Sequence, residues 1–301
     1  MKAASLSKGK TVIDVRRAGS LARIPWLVHG FSTRTGGSSR VYGRNALNLG
    51  FTAQDTTAAV EKNRRAFATA VTKRPGSARS SKSIWPIVTI RQIHSDLIHC
   101  VCGTPREQMS GDGLITNTPG ILLAMLTADC LPVILVDTKT RAVGVFHAGW
   151  RGTVKRIVEK GVGEMHRWFG TRPHDLKAAI GPGIRGCCYQ VGAEVRSKFE
   201  SQFGYAHSLF RETKETDDIH EKYPLLFLTA RAPGHSELPK KIFLDLGKAN
   251  RQQLIDAGIP AKNITDVGLC TSCHTELFFS HRAENGVTGR MLAAVGIRGA
   301  V

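Results

Sequence analysis

Short apolar runs separated by polar turns recur along the chain, and this pattern predicts many strands with a few helices between them. Two of the clearest runs are Leu131–Val136 and Ala142–Phe146, which the polar residues 137–141 join as a predicted hairpin. Further strands are predicted at these segments: Leu27–Phe31, Ile87–Ile93, Leu97–Val101, Leu114–Thr116, Ile121–Leu126, Leu176–Ile180, Ile242–Leu246, Thr265–Leu269, Leu277–Ser280 and Met291–Ile297.

Helical spacing of apolar residues is found in four segments between these strands. The predicted helices are Thr57–Val71, Thr153–Phe169, Ala193–Phe203 and Gly247–Ala257. Strands and helices together predict an α/β (α+β) protein with mixed sheets and outer helices. No repeat or clear linker divides the chain, so we expect one domain over residues 25–301 after a lead-in over residues 1–24. The polar stretches Lys73–Ser83 and Gly204–Lys240 are predicted to be insertions.

The composition narrows the possible settings and partners. No apolar run approaches the ~20 residues of a membrane span, and residues 1–20 lack the apolar block of a signal peptide. We therefore expect a cytoplasmic protein without membrane contact. The formal net charge is +18, from 42 Lys and Arg against 24 Asp and Glu. These cations are spread out and carry no aromatic-interleaved basic strand, so a solvated basic surface is expected rather than nucleic-acid binding.

The seven cysteines are expected to be thiols or metal ligands, because disulfides are rare in the cytoplasm. Cys270, Cys273 and His274 match the C-x-x-C-H pattern of haem attachment, but haem is not expected without an export signal. Cys270 and Cys273 also have the spacing of half a zinc ribbon. The sequence offers no equally convincing second half, so buried thiols near a strand end are predicted here.

Cys130 and His147 are the main candidates for chemistry. Cys130 precedes the first strand of the predicted hairpin, and His147 follows the second by one residue. One reversal of the chain should therefore bring the thiol and the imidazole to the same sheet edge. His94 is the candidate third ligand, at the end of a predicted strand on which Gln92 shares its face. Two histidines and one cysteine with an open fourth position are typical of catalytic zinc, and copper also suits such donors.

The neighbouring residues suggest further roles in catalysis and substrate binding. Asp129 beside Cys130 is a candidate to orient a ligand or move a proton, with a simple turn carboxylate as the equal alternative. The glycines around His147 and the start of the next helix predict an anion site, to which Arg151 adds a guanidinium fork. Arg34 and Arg282 are candidates to converge on the same anion.

Several motifs, taken in order, resemble the laccase-domain family, whose members were long called multicopper polyphenol oxidoreductases and are now described as purine nucleoside phosphorylases. They are His29–Gly37, Asn48–Gly50, Gln92–His94, Asp112–Thr116, Thr127–Pro132, His147–Thr153, Ile180–Gly192, Phe278–Arg282 and Thr288–Arg290. The resemblance implies a single domain of the laccase-domain, cytotoxic-necrotizing-factor-like fold. It also implies a zinc site at His94, Cys130 and His147, with Gln92 among the substrate-binding residues.

The resemblance further implies phosphorolysis of adenosine, inosine and methylthioadenosine, and hydrolytic deamination of adenosine. The expected partners are therefore a purine nucleoside and phosphate. The protein itself is expected to be a monomer or a weak homodimer. One departure concerns the usual Tyr-Arg-Arg after Phe-Ser, which is His281-Arg282-Ala283 here. The second arginine is absent, so this chain is not expected to fill any role that the residue has in relatives.

Two other enzyme classes stay open at this stage. A laccase-like copper oxidase usually needs several His-x-His pairs, and none of the eleven histidines lies two residues from another. A cysteine hydrolase acting on peptidoglycan precursors would use Cys130 as nucleophile and His147 as base. Metal bound at Cys130 would argue against a free nucleophile.

Overall fold

Two β-sheets stacked face to face form the centre of the fold in the computed structural model, which describes residues 13–73, 84–214 and 240–299. The first sheet has five strands, in the order β1 (Val15–Arg16), β2 (Leu27–Ser32), β15 (Met291–Ile297), β7 (Leu122–Thr127) and β4 (Ile87–Val88). Neighbouring strands are antiparallel except for β4, which runs parallel to β7.

The second sheet carries the predicted hairpin at its centre. Its six strands are ordered β14 (Ile264–Asp266), β10 (Leu176–Ile180), β8 (Leu131–Asp137), β9 (Val143–Ala148), β6 (Gly113–Thr116) and β5 (Ile98–Cys100). The two outer pairs, β14 with β10 and β5 with β6, are parallel, and the other pairs are antiparallel.

A small third sheet and a short separate strand complete the β-structure of the described residues. The third sheet has the order β11 (Gln190–Val191), β13 (Lys240–Leu244) and β12 (Phe210–Lys214). Strand β3 (Thr35–Ser39) is bridged to Ala46 at both of its ends.

Six helices surround the sheets in the described part of the chain. They are α1 (Gly19–Ala22), α2 (Thr57–Thr72), α3 (Trp150–Val154), α4 (Ile157–Phe169), α5 (Ala193–Glu200) and α6 (Leu246–Asp256). Short 3-10 turns form at Pro173–Asp175, Ala206–Leu209 and Ala261–Asn263. None of these helices combines the length and apolarity needed to cross a bilayer.

Strand β8 shows how the layers are held together. All seven of its residues are buried, and successive side chains point to opposite faces. Val133 and Leu135 pack in the cluster shared with α4 and α6, whereas Ile134 and Val136 pack against the first sheet. Helix α2 covers the opposite face of the first sheet through residues such as Phe67. The resulting order is helix, sheet, sheet, helix.

One predicted strand is shorter in the structure and another is absent, each for an identifiable reason. The strand predicted to reach Ile93 ends at Val88, and the side-chain amide of Gln92 instead bonds the backbone of Leu126 on β7, with Nε2 to O at 2.9 Å and Oε1 to N at 2.8 Å. The predicted strand at Leu277–Ser280 is a turn, in which the backbone N–H of Phe278 donates to the carbonyl of His274. Residues 35–39 form β3, where the apolar pattern predicts no strand.

The helix predicted over Thr153–Phe169 is two helices in the structure. Helix α3 begins earlier, at Trp150, and α4 begins at Ile157. Arg156 between them has a left-handed backbone with φ of 62°, which interrupts the helical hydrogen bonding. At the other end of the chain, β1 and α1 lie in the predicted lead-in, and β1 extends the first sheet. The predicted insertions fall largely on residues 74–83 and 215–239, which lie outside the described residues.

Candidate active site

The hairpin of β8 and β9 brings Cys130 and His147 together. Leu131 pairs with Ala148 and Pro132 with His147, so Cys130, one residue before β8, lies beside the end of β9. Gly149 makes this approach possible, because a Cβ atom there would lie 2.8 Å from the Cys130 sulfur. The predicted meeting of thiol and imidazole at one sheet edge is thus realised by strand pairing.

His94 reaches the same place from a bend rather than from a strand. Its backbone φ is 57°, in the left-handed region that is uncommon for a non-glycine residue. The bend is held by Asp112, whose Oδ2 accepts from the backbone N–H groups of Ile93 at 3.2 Å and Ser95 at 2.5 Å, and from the Ser95 hydroxyl at 2.7 Å. His94 is therefore positioned by this bend, and not by a strand on which it shares a face with Gln92, as predicted.

The three side chains are close enough to share one ion. One ligand atom from each of His94, Cys130 and His147 lies within 4.8 Å of the other two, and the imidazole rings cross at 68° with centroids 5.0 Å apart. Ligand atoms around a tetrahedral zinc ion are roughly 3.3 to 3.8 Å apart, given bond lengths of about 2.0 to 2.3 Å. Small side-chain adjustments would close the arrangement around a metal.

Asp112 also fixes the orientation of His147. Its Oδ1 lies 2.8 Å from His147 Nδ1, and its carbonyl oxygen accepts from the His147 backbone N–H at 2.8 Å. With Nδ1 engaged, Nε2 is the atom available to ligate a metal, as is usual when a carboxylate backs a histidine ligand. Sequence reasoning gave Asp112 no role. The only signal was its place in a motif of the laccase-domain resemblance.

The electrostatics of the site favour a charged thiolate and imidazolium in the metal-free protein. Burial raises the pKa of the Cys130 thiol, but the charge of His147 and hydrogen bonds with His147 and His94 outweigh it, and the pKa falls to about 6. Burial lowers the pKa of His147, whereas the Cys130 thiolate and Asp112 raise it to about 9. The Cys130 sulfur is therefore prepared to act as a ligand or a nucleophile.

Asp129 lies beside the ligands but is fully engaged. Its Oδ1 accepts from the hydroxyls of Thr271 and Ser280, both at 2.7 Å, and its Oδ2 accepts from the Arg282 backbone N–H at 2.6 Å. Its backbone φ is 95°, a strained value for a non-glycine residue. These contacts favour the role of orienting the Cys130 loop over the role of moving a proton.

A cavity of about 920 Å³ opens in front of the three side chains. Its lining includes all three candidate ligands and the predicted residues Gln92, Asp129, Arg151 and Arg282. Sequence reasoning missed three further arginines in this lining: Arg64, Arg91 and Arg290. Among the described lining residues there is one carboxylate, that of Asp129, and there are five guanidinium groups. The cavity is therefore strongly positive and suited to an anion.

Two arginines of the cavity lie over the rings of aromatic residues next to the ligands. Arg282 lies over the ring of Tyr189 at 5.4 Å, and Arg151 lies over the ring of Trp150 at 4.4 Å. Arg282 also donates from Nη1 to the carbonyl of Gln190 at 2.8 Å. Burial raises the pKa of the Tyr189 phenol, so its hydroxyl stays protonated and able to donate.

Arg34 does not join this group, contrary to the prediction. It lies outside the cavity lining, with its Nη2 bonded to the carbonyl of Tyr42 and the carboxylate of Glu284, each at 3.0 Å. It also packs over the ring of Phe279 at 4.7 Å. Arg34 therefore ties the turn before β15 to the loop after β2, and its donors are used within the protein.

The predicted anion site at a helix start near Gly152 also needs correction. Helix α3 begins at Trp150 and has five residues, so Gly152 lies inside it rather than at its first turn. Gly152 is buried against the carbonyl oxygens of His147 and Ser95. The positive character of the cavity thus comes from side-chain guanidinium groups.

Comparison with known proteins identifies relatives of this chain. Residues 28–298 match the family described as multi-copper polyphenol oxidoreductase laccase. A relative from Geobacillus stearothermophilus, "Purine nucleoside phosphorylase YlmD", is 34% identical over 288 residues, covering 90% of each chain. "Adenosine deaminase RL5" from an unknown prokaryotic organism is 36% identical over 184 residues, covering 61% of each chain.

Solved structures resemble the chain over nearly its whole length. The crystal structure of YlmD from Geobacillus stearothermophilus aligns with a TM-score of 0.72 at 32% identity, covering 92% of this chain and 93% of that one. The predicted single α/β domain with mixed sheets and outer helices is confirmed by this match. Because the family match spans most of the sequence, the chain belongs to the multi-copper polyphenol oxidoreductase laccase family.

Proposed function

We propose that this protein is a zinc-dependent purine nucleoside phosphorylase that also deaminates adenosine. The observation that carries the proposal is the opening of His94, Cys130 and His147 into a cavity with five arginines and one engaged carboxylate. A nucleoside phosphorylase needs room for a nucleoside and positive charge for phosphate. The names of the relatives from Geobacillus stearothermophilus and from the unknown prokaryote support the two activities.

The donor set fits zinc, with copper as the alternative ion. Two imidazoles and one thiolate leave a fourth position towards the cavity, which is the pattern of catalytic zinc sites. Zinc held there would supply Lewis-acid chemistry, polarising a substrate oxygen or making water a better nucleophile near neutral pH. Copper binds such donors more tightly in general, so the ion found in the cell depends on supply.

In phosphorolysis, phosphate attacks C1′ of the ribose, the bond from C1′ to the purine nitrogen breaks, and the base and ribose 1-phosphate are released. The proposed phosphate-binding residues are Arg151 and Arg282, whose guanidinium groups lie in the cavity beside the ligands. The protonated Tyr189 hydroxyl is the proposed donor to a substrate acceptor. Gln92 is proposed to shape the pocket, because its amide is already bonded to Leu126.

Deamination needs the same pocket but no phosphate, since water attacks the purine C6 carbon and ammonia leaves. Asp112 and Asp129 are proposed as positioning residues for both reactions, one for His147 and the other for the Cys130 loop. The partners are thus a purine nucleoside and phosphate; nucleic acid and membrane are not proposed as partners. We propose a cytoplasmic location.

A test uses the purified protein with adenosine, with and without phosphate, followed by chromatography of adenine, inosine and hypoxanthine. Adenine should form only with phosphate, whereas inosine should form in both cases. The protein with Cys130→Ala should form neither product above background. Lack of any nucleoside turnover by the zinc-loaded protein would reject the proposal.

A cysteine hydrolase is a second candidate because the pKa of Cys130 is lowered to about 6 beside His147. Iodoacetamide modification of the zinc-loaded protein distinguishes the two. Rapid labelling of Cys130 would favour the hydrolase, whereas protection by zinc would favour the metalloenzyme. The oxidase alternative has less support, since the two metal-type groups within the described residues contain only two histidines. Robust phenol oxidation with consumption of oxygen by copper-loaded protein, absent from zinc-only protein, would revive it.

A further inference from the structure

Four cysteines gather at a second place, separate from the three candidate ligands. The sulfur atoms of Cys187, Cys188, Cys270 and Cys273 all lie within 4.8 Å of one another. Cys273 lies 3.5 Å from Cys187 and 3.3 Å from Cys188, measured between sulfurs. This group supplies the second half that Cys270 and Cys273 lacked in the sequence, and it replaces the predicted buried thiols near a strand end.

The sulfur separations fit a shared metal better than a disulfide. Disulfide sulfurs are about 2.05 Å apart, and the two measured separations exceed this by more than 1 Å. Sulfurs around a tetrahedral zinc ion with bonds of about 2.3 Å are roughly 3.8 Å apart. Four thiolates converging with no other donor type form the ligand set of structural zinc sites, which leave no open position.

The backbone holds the two cysteine pairs in adjoining turns. The first turn is closed by the N–H of Cys188 donating to the carbonyl of Arg185 at 2.9 Å, and the second by the N–H of His274 donating to that of Cys270 at 3.2 Å. These backbone hydrogen bonds hold the cysteine pairs in positions from which all four sulfurs converge.

The two turns meet through backbone contacts, and Arg185 of the first turn also pairs with both carboxylate oxygens of Asp266, shortly before the second turn, at 2.8 Å each. The N–H of Gly183 donates to the carbonyl of Leu269 and the N–H of Thr271 to that of Gly183, both at 3.2 Å. Cys187 and Cys273 are exposed, whereas Cys270 is buried. An ion can therefore enter from solvent and, once bound, would link two segments more than eighty residues apart in sequence.

We propose that Cys187, Cys188, Cys270 and Cys273 bind a second zinc ion, which fastens these two turns behind the cavity. The first turn leads directly into Tyr189, and the second carries Thr271, which holds Asp129. The second ion acts on stability and on the shape of the cavity wall. It takes no part in the reaction and does not depend on which substrate the cavity binds.

Metal content after dialysis tests this proposal in four proteins and one control variant. The wild type should hold about two zinc ions per chain, the proteins with Cys273→Ser or Cys130→Ala about one each, and the double variant none. Cys102→Ser is the matched control, because Cys102 is exposed and belongs to neither group. It should keep the wild-type content.

Cobalt gives an independent readout that needs no variant of the four cysteines. The protein with Cys130→Ala, loaded with Co²⁺, should show the intense thiolate-to-cobalt absorption of a four-sulfur tetrahedral site. X-ray absorption of the zinc form should show a sulfur-only shell at about 2.3 Å. Both experiments still decide the matter if Cys273→Ser fails to fold.

Two results would overturn the proposal. One is an unchanged zinc content in folded Cys273→Ser protein, together with no cobalt–thiolate absorption in Cys130→Ala protein. The other is a disulfide from Cys273 to Cys187 or Cys188, found by peptide mapping of the protein isolated without reductant.

Discussion

The two clusters of metal-type side chains differ in donor, setting and support. The group of His94, Cys130 and His147 mixes nitrogen and sulfur, faces a cavity and is backed by a buried carboxylate. The four-cysteine group has sulfur alone, lies where two turns meet and has two exposed members. An open coordination position and a carboxylate behind a ligand are features of reactive sites, whereas closed all-sulfur sites stabilise folds. The comparison therefore distinguishes a candidate catalytic metal site from a candidate structural metal site.

The sharpest test of this difference replaces one cysteine in each group. Cys130→Ala should lower kcat/KM for phosphorolysis at least ~1000-fold, because the metal and its Lewis-acid chemistry are lost. Cys273→Ser should keep kcat/KM within about fivefold while lowering the melting temperature by several degrees, since about 1 kcal/mol shifts it by about 2 °C or more. Steady-state kinetics and thermal denaturation measure both. The comparison fails if the two variants lose activity equally.

Asp112→Asn tests the carboxylate behind His147. The amide keeps the size of the side chain but loses the charge that orients the imidazole, so zinc affinity should fall about 10- to 100-fold. Competition with a chromogenic chelator measures the affinity.

Asp137→Asn is the matched control for this change. Asp137 is also buried, but its Oδ1 accepts from the backbone N–H groups of Lys139 and Thr140 in the hairpin turn. Its replacement should leave zinc affinity unchanged, and equal losses in the two variants would mean that Asp112 acts through general stability alone.

The pH dependence of zinc binding should report on the pair of Cys130 and His147. Above pH 6 Cys130 is already a thiolate, but below pH 9 His147 carries a proton that zinc must displace. Affinity for the first ion should therefore rise about tenfold per pH unit from about 6 to about 9 and then level off. Calorimetry of Cys273→Ser protein in buffers of different ionisation enthalpy counts the proton released. Binding that is independent of pH in this range would contradict the charged pair.

The smallest expected effect concerns phosphate. Arg151→Ala should raise the KM for phosphate about fivefold and leave adenosine deamination unchanged, because one guanidinium fork is removed from the anion site. Arg167→Ala is the control, since Arg167 is exposed on α4 and pairs with Glu164. A parallel loss of both activities would place Arg151 in the general architecture rather than at the phosphate.

Strand patterning predicted much of the fold and the half of the site that a hairpin builds. Cys130 and His147 meet because two apolar runs of similar length pair across one turn, which is a local event. His94 is placed by hydrogen bonds to Asp112 rather than by strand period, so its role followed from donor chemistry and the family resemblance alone. Arg34 was predicted to bind the anion but does not line the cavity. The sequence could not reveal that Tyr42 and Glu284 accept hydrogen bonds from its guanidinium group.

The four-cysteine group was out of reach for a related reason. Adjacent cysteines such as Cys187 and Cys188 lack the spacing of a known ligand pair, and their partners lie in a turn far along the chain. Contacts between distant segments, such as the one between Gly183 and Leu269, bring the halves together. Long-range contacts of this kind are set by packing of the whole molecule, which local patterns do not encode.

The most direct test of the first site is zinc titration of chelator-treated protein while adenosine phosphorolysis is followed. The treated wild type should be inactive and should regain activity as zinc is restored, whereas the protein with Cys130→Ala should stay inactive at every zinc concentration. Full phosphorolysis by metal-free wild type, or restoration of the Cys130→Ala protein by zinc, would contradict the assignment of this centre.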